Sequence, residues 1–567
     1  MATATKKELS KWLSGYLDEL GFDRRRIWER IHVFNRCSRA KDISTKTILK
    51  TNEIEKIFVG SMREGTGMSY INDEDILQIN HAITSFEDFG TLNETSKLVF
   101  KMVQNKAPAG YTFLKLVSRE EDFETFETLK YALVKMKKGR FLSSKLFMTK
   151  NDDVFKTGDG LISRYTRYKS PQGPSIPKYV ENNLIQKYWF SKINLTDKGK
   201  DFVRAFPCQA DSILQAWKMR DRKCGWPCRK TINHVMSLPA YVVPVGCKDS
   251  INEDLQWRIC FTMAETHLVQ ALNNTQTKVF VLMKLIAKYI LQPLCKDITS
   301  YVVKMVILWL AEKIPQRKFR KKHLLARLQD AITYLQSVVE SKHLPSYMIP
   351  KRNLFARKLT KTEQTLVIDR LSYLLNNGTR MIEEFSHDCL PHSEEIIQVC
   401  ESLSIANHMN KIHTCLITLF TTEELANYCT KMFLCRSWFQ AYLYNALFVW
   451  GPYFLTYGKR GFSDPLSFEL SNHFAESEKK EKAAIKQRQK RNTQLAASTQ
   501  TVPRSDWHLD LNIANKFGLP FEQFVFLSAI FMILLFLPSR FFLKLLLTVL
   551  DSDGIITETA EGHIISD

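Results

Sequence analysis

The texture of the sequence changes at its middle, and that change limits the fold more than any other feature. Between residues 59 and 206 the apolar residues come in short runs broken by Gly, Asn and Pro, the pattern of strands joined by turns. Residues 113–117, 131–134 and 202–206 are the clearest strands. From 255 to 355 the apolar residues recur at helical spacing, with Trp257, Phe261, Leu268, Phe280, Leu282, Met283, Leu285 and Ile286 on apolar faces. A strand-rich half followed by a helix-rich half predicts an α+β fold.

Flanking segments extend this plan. Leu9, Leu13, Tyr16, Leu17 and Leu20 predict an N-terminal helix, and a second amphipathic run follows Asp23. That run carries Arg24, Arg25, Arg26, Arg30, Arg36, Arg39 and Lys41, interleaved with Trp28, His32 and Phe34. Residues 149–191 are polar and read as an insertion or long loop. A further helical block spans 361–462, a Lys/Arg-rich stretch 476–491, and a Ser/Thr/Ala-rich linker 494–503. The resulting divisions are N-terminal helices at 1–56, a core at 57–250, a helical lobe at 251–375 and additional helices at 376–475. A charged and polar linker at 476–520, an apolar segment at 521–550 and an acidic tail at 551–567 complete the chain.

The apolar segment is short for a membrane span. Residues 524–537 are apolar except for Ser528, Pro538-Ser539-Arg540 interrupts, and 541–550 resumes with one lysine. A span needs about 20 apolar residues, so an anchor, an interfacial helix and a core hairpin all fit. If it spans, the basic cluster before it and the acidic tail after it place the main body in the cytosol. The expectation is therefore a cytoplasmic protein, tail-anchored to an intracellular membrane.

Composition narrows the function classes. The 567 residues are 45% hydrophobic and 25% charged, which excludes a disordered, collagen-like or small disulfide-stapled chain. With 80 Lys+Arg against 59 Asp+Glu, the net charge of +21 attracts polyanions such as nucleic acid or anionic membrane. The 12 cysteines are scattered, and the first 20 residues are too polar for a secretory signal, so a reducing compartment follows. Only Cys224 and Cys228 are close together, and no further His or Cys pair completes a zinc set.

Chemistry concentrates in Ile57-Phe58-Val59-Gly60-Ser61 and Asn72-Asp73-Glu74-Asp75-Ile76. Small residues at a strand–helix turn let backbone amides and a hydroxyl approach phosphate. Asp73 and Asp75, at i and i+2 on an extended strand, point to one side and can reach a pair of Mg²⁺ ions on one triphosphate. A third carboxylate is needed on a neighbouring strand, and Asp201, opening the run 202–206, is the best candidate.

Gly60-Ser61 with Glu64-Gly65 and Asp73-x-Asp75 resembles the entry motif of the Mab-21 nucleotidyltransferase family, which includes cyclic GMP–AMP synthase and the invertebrate cGAS-like receptors. Gly173-Pro174-Ser175, Asp201-Phe-Val-Arg-Ala-Phe, Gly225-Trp226-Pro227, Val243-Pro244-Val245-Gly246 and Trp257-Arg258-Ile-Cys-Phe261 follow in the family order. So do Leu282-Met283-Lys284, Ser300-Tyr301-Val-Val-Lys304 and Tyr347-Met-Ile-Pro350-Lys-Arg-Asn353-Leu354-Phe355. The resemblance covers roughly residues 5–375.

It implies a bilobed enzyme with a nucleotide cleft, a mixed-sheet lobe carrying an N-terminal spine helix, and a helical lobe. Gly60 and Ser61 would hold triphosphate, and Asp73, Asp75 and Asp201 would bind two Mg²⁺, with Mn²⁺ as an alternative. Arg258 would read a base edge, Lys284 and Ser300 would meet donor phosphates, and Tyr301 would stack on a base. Substrates would be ATP, GTP or a pyrimidine nucleoside triphosphate.

Three departures qualify the resemblance. Glu74 stands where the family has a hydrophobic residue. The region of the vertebrate DNA sensor's zinc-bound thumb aligns with residues 267–278, which hold one His and no Cys. The helices after Lys361 and the apolar tail lie outside the match. Duplex nucleic acid is bound mainly through phosphates, and two basic clusters could supply the surface: the arginines at 24–39, and Lys318, Arg320, Lys321 and Lys322 within 313–322. The missing thumb favours double-stranded RNA over DNA.

The expectation is a nucleic-acid-stimulated cyclic dinucleotide synthase, an innate immune sensor that forms a ligand-induced homodimer. A catalytically inactive membrane-tethered scaffold and a terminal nucleotidyltransferase acting on RNA are the alternatives.

Overall fold

The computed structural model describes residues 5–67, 74–87, 98–117, 124–149, 166–168, 174–180, 200–356, 359–386, 403, 407 and 421–434. The chain divides into two compact units, Met1–Phe433 and Leu434–Asp567. The apolar run at 521–550 lies outside the described residues, and among those described no helix is long and apolar enough to cross a membrane.

Two helices open the chain. Helix α1 (Lys6–Leu17) starts at a capping box in which Thr5 and Glu8 satisfy each other's backbone amides. A π turn (Asp18–Phe22) follows, with Gly21 at φ +87°, and Asp23 then caps α2 (Arg24–Leu49). The buried ammonium of Lys278 fastens α1 from behind, donating to the carbonyl and hydroxyl of Ser14 at 2.8 Å and pairing with Asp18 at 2.5 Å.

The strands are β1 (Ile54–Val59), β2 (Glu74–Asn80), β3 (Ile83–Phe86), β4 (Leu98–Val103), β5 (Tyr111–Leu116), β6 (Leu133–Met136), β7 (Gly139–Leu142) and β8 (Thr166–Tyr168). Then come β9 (Ser175–Val180), β10 (Lys200–Gln209), β11 (Ala240–Val243) and β12 (Gln256–Cys260). All twelve join one sheet system, in which β10–β11–β12–β5–β4–β3 close into a six-strand barrel through the β10–β3 pairing. Strand β10 serves both parts. Its first half pairs with β2 (parallel) and β9 (antiparallel), and its second half pairs with β11 and β3 inside the barrel.

Period-2 alternation sorts the residues of the β1–β2–β10 layer onto two faces. Phe58, Ile76 and Phe202 pack with Phe34 and Cys37 of α2. Val59, Leu77, Ile79, Val203 and Ala205 face the opposite way, with Tyr241 and Val243. The outer edge of β1 is covered by α2, whose Asp42 and Ser38 side chains accept from the Lys56 and Phe58 amides at 3.2 and 3.0 Å.

Beyond the barrel the chain is helical: a short α3 (Gly60–Arg63) sits earlier, after β1, and α4 (Thr262–Gln270), α5 (Asn274–Ile286), α6 (Ser300–Lys313), α7 (Leu324–Glu340), α8 (Lys361–Ser386) and α9 (Thr422–Leu434) follow β12. The α+β expectation holds. Three local readings are corrected. Residues 130–132 form a 3₁₀ turn and the strand begins at Leu133. Trp257 lies on β12, between β11 and β5, because its indole fills the barrel core against Phe147 and Phe206 and donates to the Leu142 carbonyl at 2.8 Å. The described parts of 149–191 include β8 and β9 and are not only loop, with Pro177 paired to Asp201.

Candidate active site

The register of the β1–β2–β10 layer assembles the site. Asp75 is the Cα partner of Val59 on one side and of Asp201 on the other. Directly paired residues point to the same face, so both carboxylates stand at the end of the layer whose interior is Leu77, Ile79, Val203 and Ala205. Glu74, one residue out of phase, falls on the opposite face toward α2, where its charge reaches Cys37. The extra carboxylate therefore does not enter the site. Asp73 lies outside the described residues.

After Val59 the chain turns through Gly60, at φ +68°. A methyl group there would overlap the Asp75 carboxylate. Both the left-handed backbone and the close approach require glycine. The loop then doubles back on Ser61, whose carbonyl accepts from the Thr66 and Gly67 amides at 3.1 and 2.8 Å.

Three elements pin this loop. Arg30 of α2 donates twice to the Gly65 carbonyl, at 3.0 and 2.9 Å, and once to the Gly21 carbonyl at 2.7 Å. Gln270 of α4 donates to the Arg63 carbonyl at 2.8 Å. Lys284 of α5 donates to the Ser61 hydroxyl at 2.8 Å and to that of Thr66 at 3.4 Å.

The charges around Ser61 are interdependent. Burial pushes the Lys284 ammonium down to about 8; Glu64 and Asp75 oppose that fall, and Lys304 deepens it. Glu64 is buried and pairs with Lys304 of α6 at 2.5 Å. Burial would lower Lys304, but Glu64 and Glu265 hold it above its ordinary value. Tyr301, one turn before Lys304, donates its hydroxyl to Glu265 at 2.9 Å. Burial raises the Tyr301 phenol, and Glu265 adds to the rise; burial likewise raises the Glu265 carboxyl, against Lys304. Arg258, paired with Tyr111 across β12–β5, is pushed down by burial but held above its ordinary value by Cys260, Tyr111 and Tyr301.

Six of the residues singled out from the sequence thus converge through direct contact or the electrostatic reach of a neighbour: Gly60, Ser61, Asp75, Asp201, Lys284 and, through Lys304, Tyr301. Ser300 is exposed at the start of α6, one residue from Tyr301. Sequence reasoning missed Glu64, Thr66, Glu265 and Lys304 as site residues and gave Arg30 to nucleic-acid binding instead of to this loop. A signal was present for Lys304, a cation inside the apolar run 302–311, where a buried charge needs a partner.

The arginines of α2 do not act together. Arg24, Arg25 and Arg39 are exposed, and Arg26 is half-buried against Asp23 and the Asp18 carbonyl. Arg30 and Arg36 are only 3% and 4% exposed, which removes both from the expected nucleic-acid surface. Helical periodicity places them on the face that carries Val33 and Ala40, and Arg30 there is part of the loop support. Lys318, Arg320, Lys321 and Lys322 are exposed, and the last three line an open concavity of about 410 Å³ with Lys11.

Asp75 and Asp201 offer hard oxygen donors of the kind Mg²⁺ takes, on one face and beside the turn that carries Ser61. Among the described residues, which do not include Asp73, no group of three or more His, Cys, Asp and Glu forms a metal cage.

Residues 275–373 match the family model of the Mab-21 protein HhH/H2TH-like domain. The match supports the Mab-21 family, and with it the nucleotidyltransferase superfamily. It spans α5, α6 and α7 with the first half of α8, and so contains Lys284, Ser300, Tyr301, Lys304 and the 318–322 cluster. The Gly60 turn, Asp75, Asp201 and Arg258 lie before it in the chain.

Proposed function

We propose that this chain is a Mg²⁺-dependent nucleotidyltransferase that joins two nucleoside triphosphates into a cyclic dinucleotide and is stimulated by double-stranded RNA. The observation that carries the reading is the in-register pairing of Asp75 with Asp201 beside the Gly60–Ser61 turn, with Lys284 seated on Ser61. Two linkages form in the reaction, each from a ribose hydroxyl oxygen to an α-phosphorus, and each releases pyrophosphate. Asp75 and Asp201, with Asp73, would hold two Mg²⁺ ions. Bound there, the metal acidifies the attacking hydroxyl and offsets the charge of the leaving pyrophosphate.

The protein's own groups supply the rest. Gly60 lets triphosphate approach the backbone without a side chain in the way, and the Ser61 hydroxyl and Lys284 ammonium supply donors on the same side. Arg258 and Tyr301 sit near one another on different elements, which suits them to a base edge and a base face. The exposed cations of α2 and the Lys11–Lys322 concavity give a phosphate-binding surface.

The bilobed arrangement, the cytosolic location and a C-terminal membrane anchor belong to the same proposal, as does a ligand-induced homodimer. The test is turnover of ATP, GTP, UTP and CTP mixtures with Mg²⁺, with and without long duplex RNA. RNA-dependent release of pyrophosphate supports the reading, and turnover that ignores RNA removes the sensor part of it.

A further inference from the structure

The exposed face of α2 has a composition that phosphate binding alone does not call for. Exposed Arg24, Trp28 and Arg39 recur at helical spacing along one ridge with half-buried His32, opposite the buried face of Val33, Arg36 and Ala40. Trp28 is 49% exposed, whereas Trp217, Trp226, Trp257 and Trp309 are 8% exposed or less. Its ring lies nearly parallel to that of His32, at 15° with centroids 5.5 Å apart, an offset pair that presents a broad aromatic surface. Arg24 and Arg39 stand about 22 Å apart along the helix at its standard rise. The two acids of α2 are both engaged by cations, Glu29 by Arg25 at 2.9 Å and Asp42 by Lys46 at 2.7 Å.

We infer that this ridge binds a short unpaired run of RNA, one base stacked on the Trp28–His32 surface and phosphates of the same strand at Arg24 and Arg39, so that the preferred ligand is duplex RNA with a single-stranded overhang. The inference rests on the nucleic-acid reading above and narrows it. A base paired inside a duplex has both π faces covered by its neighbours and offers an indole only groove edges and backbone, whereas an unpaired base offers a full π face whatever its identity. The order of cation, aromatic pair and cation over about 22 Å suits a single strand of several nucleotides laid along the ridge, with phosphates toward both ends and a base at the ring pair. A membrane surface fits less well, because the apolar face of α2 is spent on the core and a single indole gives little area for insertion.

The experiment is fluorescence anisotropy with the full chain and end-labelled duplex RNA, blunt or carrying unpaired 3′ nucleotides. Stacking contributes about 1–3 kcal/mol per base, so the overhang should tighten binding roughly 5- to 150-fold. Trp28→Ala should abolish that gain and leave blunt-duplex affinity within about twofold, and Trp28→Phe should retain most of it. Equal affinity for both RNAs, or a gain that survives Trp28→Ala, overturns the inference while leaving the sensor reading intact. Binding to neither RNA overturns both. Trp28-dependent binding to vesicles containing phosphatidylserine, with no overhang preference, assigns the ridge to membrane and also overturns the inference.

Discussion

Asp75 and Asp201 are direct partners across the parallel β2–β10 pair, each on the face that carries Leu77 and Val203. This register gives the proposed metal site its geometry, since shifting β10 by one residue would send Asp201 to the α2 side. Asp201→Asn should lower product formation at least 100-fold, as expected when several kcal/mol of transition-state stabilisation is lost. The pair Asp73→Asn and Asp75→Asn should remove product while thermal stability and RNA binding persist. Product from that double variant would show that the carboxylates do not hold the metal.

Gly60 is constrained twice, by its positive φ and by the Asp75 carboxylate against it. Gly60→Ala should cost about 1–2 kcal/mol for the left-handed backbone alone. Displacement of Asp75 should also reduce kcat more than tenfold. Calorimetry and steady-state kinetics on the same preparation separate the two effects; unchanged kcat would mean that Asp75 has no catalytic part.

Lys284 sets a pH dependence. Its ammonium is depressed to about 8, so the charge beside Ser61 is present below that pH and lost as pH rises through it. The free-enzyme profile of kcat/KM should therefore fall on its alkaline side with a midpoint near 8. Lys284→Arg keeps the cation and should carry that limb upward by more than one pH unit. An alkaline limb that does not move in this variant assigns the titration to another group.

The Glu64–Lys304 pair is largely withdrawn from solvent, with the Glu64 side chain 1% and the Lys304 side chain 14% exposed. Glu64→Gln removes the stronger of the two acids that hold Lys304, leaving Glu265, and should destabilise the protein by about 1–3 kcal/mol. Adding Lys304→Met should restore a large part of that loss. Urea unfolding of the single and double variants gives the coupling directly, and additive losses would mean that the two side chains do not depend on each other.

Much of this site was legible in the sequence, and the reasons are local. Gly60-Ser61 and Asp201 are common features taken singly, and they stand out because the later motifs, from Gly225-Trp226-Pro227 to Asn353-Leu354-Phe355, follow them in the family order. The α+β class followed from the change of period. Trp257 was placed on a helix because Trp257 and Phe261 also satisfy a spacing of four, and periodicity cannot distinguish a short strand from a helical turn. Arg30 and Arg36 were counted as surface because composition does not say which arginines of a basic helix turn inward. The Gly21 and Gly65 carbonyls that retain Arg30 lie 9 and 35 residues away in sequence, beyond the reach of any local pattern. Lys304, Glu64 and Glu265 come together only when α4, α6 and the Gly60 loop are packed.

Mass spectrometry of the products made from ATP, GTP, UTP and CTP with Mg²⁺ and long duplex RNA tests the central claim most directly. A phosphatase-resistant cyclic dinucleotide is expected from the native chain and none from Asp201→Asn. Label recovered in polymer, or no product from the native chain under any nucleotide combination, would contradict it.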